Sequence, residues 1–196
     1  MRLNSVWLVV LTVMLASFPV SGRAAESAED AERQKALADP YANDLGPDKL
    51  EGFGWVSLKD YPAESQAGYR LLLDKCAKCH TAARPLNSQF VEPVGAKEEK
   101  AAKVAALLAQ PGVAAAPLVW QVEDGLWQRY VRRMMAKPGC AISTEEGKKI
   151  WAFLSFDSVQ RKTGANAAAW KAHRSRLLED FKAAHPDRYK TLYVKP

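Results

Sequence analysis

The chain has 196 residues, 48% of them hydrophobic and 26% charged, with 11 Gly and 11 Pro, the profile of one modest globular domain with extensions and not of a disordered chain. Three Cys, two of them within four residues of each other, exclude a disulfide-stapled miniprotein and leave thiols kept for chemistry. The formal charge of +6 is unevenly spread: residues 25–64 hold 4 basic and 10 acidic groups, 65–159 hold 13 and 9, and 160–196 hold 9 and 3, so the molecule can orient in a partner's field.

At the N-terminus, Arg2 precedes a 13-residue apolar run from Val6 to Phe18, then Pro19 and small residues up to Ala25. A helical span needs about 20 apolar residues, so residues 1–24 read as an export signal cut near Ala24. An uncleaved anchor is the competing reading, opposed by Pro19 and the short run. Residues 25–63 form an acidic stretch punctuated by Asp39-Pro40, Gly46-Pro47, Gly52-Phe53-Gly54 and Tyr61-Pro62. Such breakers predict an irregular arm lying on the domain, with Trp55 and Leu58 as anchors.

Residues 64–159 carry the helical periodicity of the main domain. Ala67, Leu71 and Leu72 predict a helix from Glu64 to Lys75 that runs into Cys76. A second helix is expected over Lys97–Gln110, ended by Pro111-Gly112, and a linker over Val113–Pro117. A third fits Val122–Met134, with a turn at Pro138-Gly139. Ser143 or Thr144 then caps a fourth helix, Glu146 completing a capping box before Ile150, Phe153 and Leu154. Residues 160–196 form a basic extension, helical from Asn166 to His185 and ended by Pro186. No alternating strand-like run and no internal repeat occurs, so the expected fold is all-α.

Chemistry concentrates in Cys76-Ala77-Lys78-Cys79-His80. In C-x-x-C-H both thiols can add across the vinyl groups of a haem, with the adjacent imidazole as proximal iron ligand. Zinc binding needs four protein ligands, and Cys140, His173 and His185 are not in paired spacing. A redox C-x-x-C expects a βαβ context that the helical pattern does not offer. A sixth iron ligand must come from Met134 or Met135, because Met1 and Met14 leave with the signal. Both sit where a helix enters the Lys137-Pro138-Gly139 loop.

On these residues the chain resembles the class I, mono-haem c-type cytochromes of bacterial periplasms. Gly68 and Leu72 stand at the family's distances before Cys76, and Ile150, Phe153 and Leu154 match its final helix. The missing side chain of Gly68 would let the first and last helices cross closely, beside Phe153. Val131, Met134, Lys137, Pro138, Gly139 and Ile142 follow the family's distal pattern, which favours Met134 over Met135. The resemblance covers roughly residues 64–156, without the arm and tail. It departs from the common pattern after His80, where no Gly-Pro pair occurs; Pro93, more than Pro85, is the expected source of a carbonyl for the proximal imidazole. Arg84 is a candidate partner for a haem propionate, a solvated surface arginine being the alternative.

The resemblance implies a cytochrome c-like helical domain around one covalent haem c and its iron, tethered by Cys76 and Cys79 and ligated by His80 and Met134. It implies a periplasmic electron carrier, not an enzyme, with redox proteins as donor and acceptor and the cytochrome c maturation machinery as a further partner. Basic residues such as Arg132, Arg133 and Lys137 would steer a partner with acidic docking surfaces. The alternatives are a haem enzyme or diatomic-gas sensor with an open or displaceable sixth site, and a haem subunit of a larger oxidoreductase. Cys140 reads as a buried or idle thiol, or an intermolecular disulfide. His173 and His185 read as surface histidines of a solvated tail, a distal bis-His ligand being the sharper reading. Trp120, Trp127 and Trp151 are expected around the haem or between helices, and Trp170 at the tail's docking point. Nucleic acid is not an expected partner; the basic tail reads as a solvated face, with docking to an acidic redox partner or an anionic lipid surface as the sharper reading, so membrane association stays open without being predicted.

Overall fold

The computed structural model describes residues 21–110, 113 and 121–194. The apolar run at residues 6–18, Trp120 and nearly all of the expected linker lie outside them. The described chain is mostly helical, in the order α1 (Ser21–Ala38), α2 (Ala63–Lys75), α3 (Ala83–Leu86), α4 (Lys97–Leu108), α5 (Leu126–Met135), α6 (Thr144–Lys162), α7 (Ala167–Ala184) and α8 (Pro186–Tyr193). The only strands among the described residues are β1 (Phe90–Val91) and β2 (Gln121–Val122), a short parallel pair with Phe90 opposite Gln121. The all-α class is therefore as expected.

The centre of the fold is the crossing of α2 and α6. A Cβ built on Gly68 would lie 2.2 Å from the Lys149 carbonyl oxygen and 2.7 Å from Phe153 Cβ, so only glycine permits this approach. Leu72, Ile150 and Phe153 fill the interface, with exposures of 1% or less. Helix α6 starts where its cap predicts: Glu146 N–H donates to Ser143 Oγ at 3.2 Å, and Ser143 N–H to Glu146 Oε2 at 2.8 Å. The reciprocal bonds satisfy two helix-end donors.

Four local expectations change. The start of the arm is a helix, Ser21–Ala38, running through the expected cut after Ala24; its Ala, Glu, Arg and Lys are strong helix formers, and after Gly22 no breaker occurs before Asp39-Pro40. Beyond it the arm is turn-rich, with 3-10 turns at Ala42–Leu45, Leu50–Phe53 and Leu58–Asp60. It also enters the core: Leu50, Phe53 and Tyr61 are buried, and Trp55 and Leu58 pack against them. Helix α5 begins at Leu126, not Val122, because Gln121 and Val122 pair with β1 and Gly125 turns the chain at φ 67°. Pro186 ends α7 but occupies the first turn of α8, where its missing N–H costs nothing.

Candidate functional site

Helix α2 delivers the C-x-x-C-H residues directly. Cys76 N–H closes the helix on the Leu72 carbonyl, and Cys76–Lys78 form a 3-10 turn that brings Cys79 and His80 round. All three chemical side chains line one cavity of about 600 Å³, within the ~300–1,000 Å³ usual for cofactor-sized ligands. Leu72, Ile150, Leu154, Phe90 and Trp127 supply apolar wall.

Met134 reaches the same cavity from the end of α5, and Met135 does not line it. Met135 turns to the core: a Cβ on Gly147 would lie 2.5 Å from its sulfur, so the sulfur packs onto the bare first turn of α6. The neighbouring methionines thus divide into a cavity residue and a packing residue. Behind α5, the buried Glu92 carboxylate accepts the Trp127 backbone N–H at 2.6 Å and the Trp151 indole N–H at 3.0 Å. Lys100 closes this cluster at 3.1 Å from Glu92 Oε1. A carboxylate at a helix N-terminus meets the positive end of its dipole, so Glu92 fixes the helix that carries Met134. Sequence reasoning missed Glu92; no local pattern marks it.

The protonation states suit His80 as a ligand and leave the two thiols uncharged. Burial pushes the Cys76 thiol up to about 12 and raises Cys79 too, with Cys140 and acidic neighbours adding. Both are neutral thiols at physiological pH, unlike the depressed thiols of redox C-x-x-C sites. Burial lowers the His80 pKa, which keeps the imidazole neutral. Its Nδ1 lies 3.0 Å from the Thr81 carbonyl oxygen, which can only accept. Nδ1 therefore carries the proton, and Nε2 keeps a free lone pair.

Other expectations are redistributed. Pro85 lines the cavity, whereas Pro93 lies in a separate groove beside Phe156 and Val159, so the carbonyl beside the imidazole is Thr81's. Arg84 also lines the cavity, but its Nε and Nη2 donate to Asp44 at 2.7 and 2.6 Å and Nη2 to the Ala36 and Asp39 carbonyls, tying the arm down. Cys140 is a free, half-buried thiol on the cavity wall. His173 is not a surface residue: it is 6% exposed, and its Nε2 lies 2.7 Å from Asn87 Oδ1. Neither it nor His185 lines the cavity. Trp127 lines the cavity, and Trp170 docks α7 as expected, fully buried beside Phe53.

Among the described residues no three His, Cys, Asp or Glu side chains converge as a metal site, and no helix is long and apolar enough to cross a membrane. A metal held here by one imidazole and one thioether needs its other donors from the bound group itself, which a porphyrin supplies. The residues present fit that group. No protein-family model, curated protein or solved structure matches the chain.

Proposed function

We propose that the chain is a periplasmic electron carrier with a cytochrome c fold around one covalent haem c. The supporting observation is the convergence of Cys76, Cys79, His80 and Met134 on one largely apolar cavity while Met135 packs elsewhere. The bound haem would supply a one-electron Fe(III)/Fe(II) couple; the residues of the chain do the rest. Cys76 and Cys79 tether it through thioethers. His80 offers Nε2 to the iron, with Nδ1–H fixed on the Thr81 carbonyl, and Met134 offers a thioether, a pairing that raises the reduction potential. The walls formed by Leu72, Ile150 and Leu154 exclude water from the group. Exposed Arg132 and Arg133 favour encounter with acidic surfaces of a donor and an acceptor.

The test is the intact mass and absorption spectrum of the exported protein. The expected result is one added haem on a chain beginning near Ala25, lost in a Cys76→Ala/Cys79→Ala variant. The Met–iron charge-transfer band of the oxidised protein should vanish in Met134→Ala and survive in Met135→Ala. Colourless mature protein from cells able to attach c-type haem would refute the reading. Rapid carbon monoxide binding by the untouched reduced protein would replace the carrier with an open-site haem protein.

A further inference from the structure

Helix α1 forms an outer wall of the cavity, and charge holds it there. Glu29, Glu32 and Ala36 line the cavity from that side. Glu32 Oε2 stands 2.9 Å from Lys137 Nζ, three residues after Met134, and Glu29 Oε1 stands 3.9 Å from Lys78 Nζ inside the C-x-x-C-H turn. One helix therefore bridges the C-x-x-C-H turn and the loop just after Met134, next to both candidate iron ligands. Its carboxylates occupy lysines that would otherwise face outward at the cavity rim.

The two ends of this helix are held differently. At the C-terminal end Arg84 grips the Ala36 and Asp39 carbonyls and the Asp44 carboxylate, and Asp39 also pairs with Arg188. Beyond it Ala42, Leu50 and Phe53 are buried. From Ser27 to Ala38 no side chain is buried, and Leu37 is 67% exposed. Hydrophobic burial therefore contributes little to seating this segment. Ion pairs between partly exposed groups are individually weak and are screened by salt. The segment is thus anchored at one end and latched by Glu29 and Glu32 at the other.

We propose that α1 is a hinged acidic strap over the cavity rim, latched by Glu29–Lys78 and Glu32–Lys137 and released when those pairs are screened or replaced by a partner's carboxylates. Released, it bares Lys78 and Lys137 and opens that side of the cavity while Arg84 keeps its far end attached. Its functional meaning rests on the electron-carrier reading, in which a redox partner approaches this rim; its motion does not.

Hydrogen exchange of the exported full chain, followed by mass spectrometry of peptides from α1 and α6, tests the strap. Raising the ionic strength from about 0.02 to about 0.5 M should speed exchange over residues 29–36 by about three- to ten-fold, leaving residues 150–154 unchanged. In Glu29→Gln/Glu32→Gln, and in Lys137→Gln, exchange over 29–36 should already be fast at low salt and respond less to added salt. Exchange over 29–36 that ignores both salt and these substitutions overturns the proposal. Because the readout is backbone exchange, colourless protein would refute the haem and still decide the strap.

Discussion

The two ends of α6 solve opposite packing problems. Toward its N-terminus the helix crosses α2 through a bare glycine and apolar side chains, Leu72, Ile150 and Phe153. Toward its C-terminus it sinks Asp157, Arg161 and Lys162 out of water, against α7 with His173 and Arg174. Buried charges are tolerated only when paired or hydrogen-bonded, and here each charged group finds partners, although Arg161 Nη1 and Arg174 Nε are left without a hydrogen bond. Asp157 Oδ1 accepts from Tyr61 Oη–H at 2.8 Å and Arg161 Nε–H at 2.9 Å. The Arg161 guanidinium lies 4.1 Å from the Phe53 ring centroid. Lys162 Nζ donates to the Ser88 and Phe90 carbonyls, each at 2.9 Å, and sits 4.8 Å from the Trp170 ring centroid. The first region is a cavity wall that needs shape. The second is a joint that depends on polar partners, and it attaches the tail to the domain.

The largest expected break is at that joint. Asp157→Ala leaves Arg161 buried without its carboxylate and takes the acceptor from Tyr61. Removing one partner of a buried pair costs about 3–5 kcal/mol. Denaturant unfolding should show a midpoint lowered accordingly with an unchanged slope. A loss below about 1 kcal/mol, the range of exposed pairs, would mean that the joint is solvated in solution.

This difference also explains what the sequence could and could not reveal. Gly68, the Ser143–Glu146 cap and the C-x-x-C-H turn are local, fixed-spacing patterns with physical reasons, and each appears in the structure where its spacing puts it. The preference for Met134 comes from the resemblance alone; what the structure adds is that Met134 lines the cavity and Met135 does not. The joint is non-local. Asn87 is separated from His173 by 86 residues and Tyr61 from Asp157 by 96, and nothing in either segment announces its partner. A run of Arg and Lys on the tail therefore reads as a solvated face, whereas Arg161, Lys162 and Arg174 are each 1% exposed or less. Helix α1 was obscured differently, by the turn signals that follow it.

The next effect is a pH dependence seated in the same joint. Burial, followed by the charges of Arg161, Arg174, Arg176 and Lys162, holds His173 down at about 4, against about 6.5 in an unfolded chain. Between those values the unfolded chain binds the proton and the folded one does not, so stability falls as pH drops through this window and is regained above about 6.5. The shift corresponds to about 3 kcal/mol at most. His173→Gln keeps a donor for Asn87 Oδ1 but cannot titrate. Its stability, measured against wild type from pH 7 to pH 4, should fall less steeply. Parallel curves would exclude His173 as the source of the slope.

The smallest effect belongs to the apolar crossing, and it separates shape from charge. Gly68→Ala adds one methyl where the Lys149 carbonyl oxygen already lies 2.2 Å from the ideal Cβ position. Backbone cannot yield there as a flexible side chain could, so α2 and α6 must move apart. Overpacking of this kind costs about 1–3 kcal/mol, partly offset by about 0.5–1 kcal/mol because alanine is the better helix former. A net loss of about 1–2 kcal/mol should appear in the unfolding midpoint and, unlike the His173 effect, stay constant between pH 7 and pH 4. If the separation opens the cavity, it moves Cys76 and His80, carried by α2, relative to Leu154 on α6. On the proposed haem reading, the Met–iron band should then weaken in Gly68→Ala while the added haem mass stays unchanged. A stable variant with an undisturbed band would mean that the close approach of α2 and α6 does not set the cavity's width.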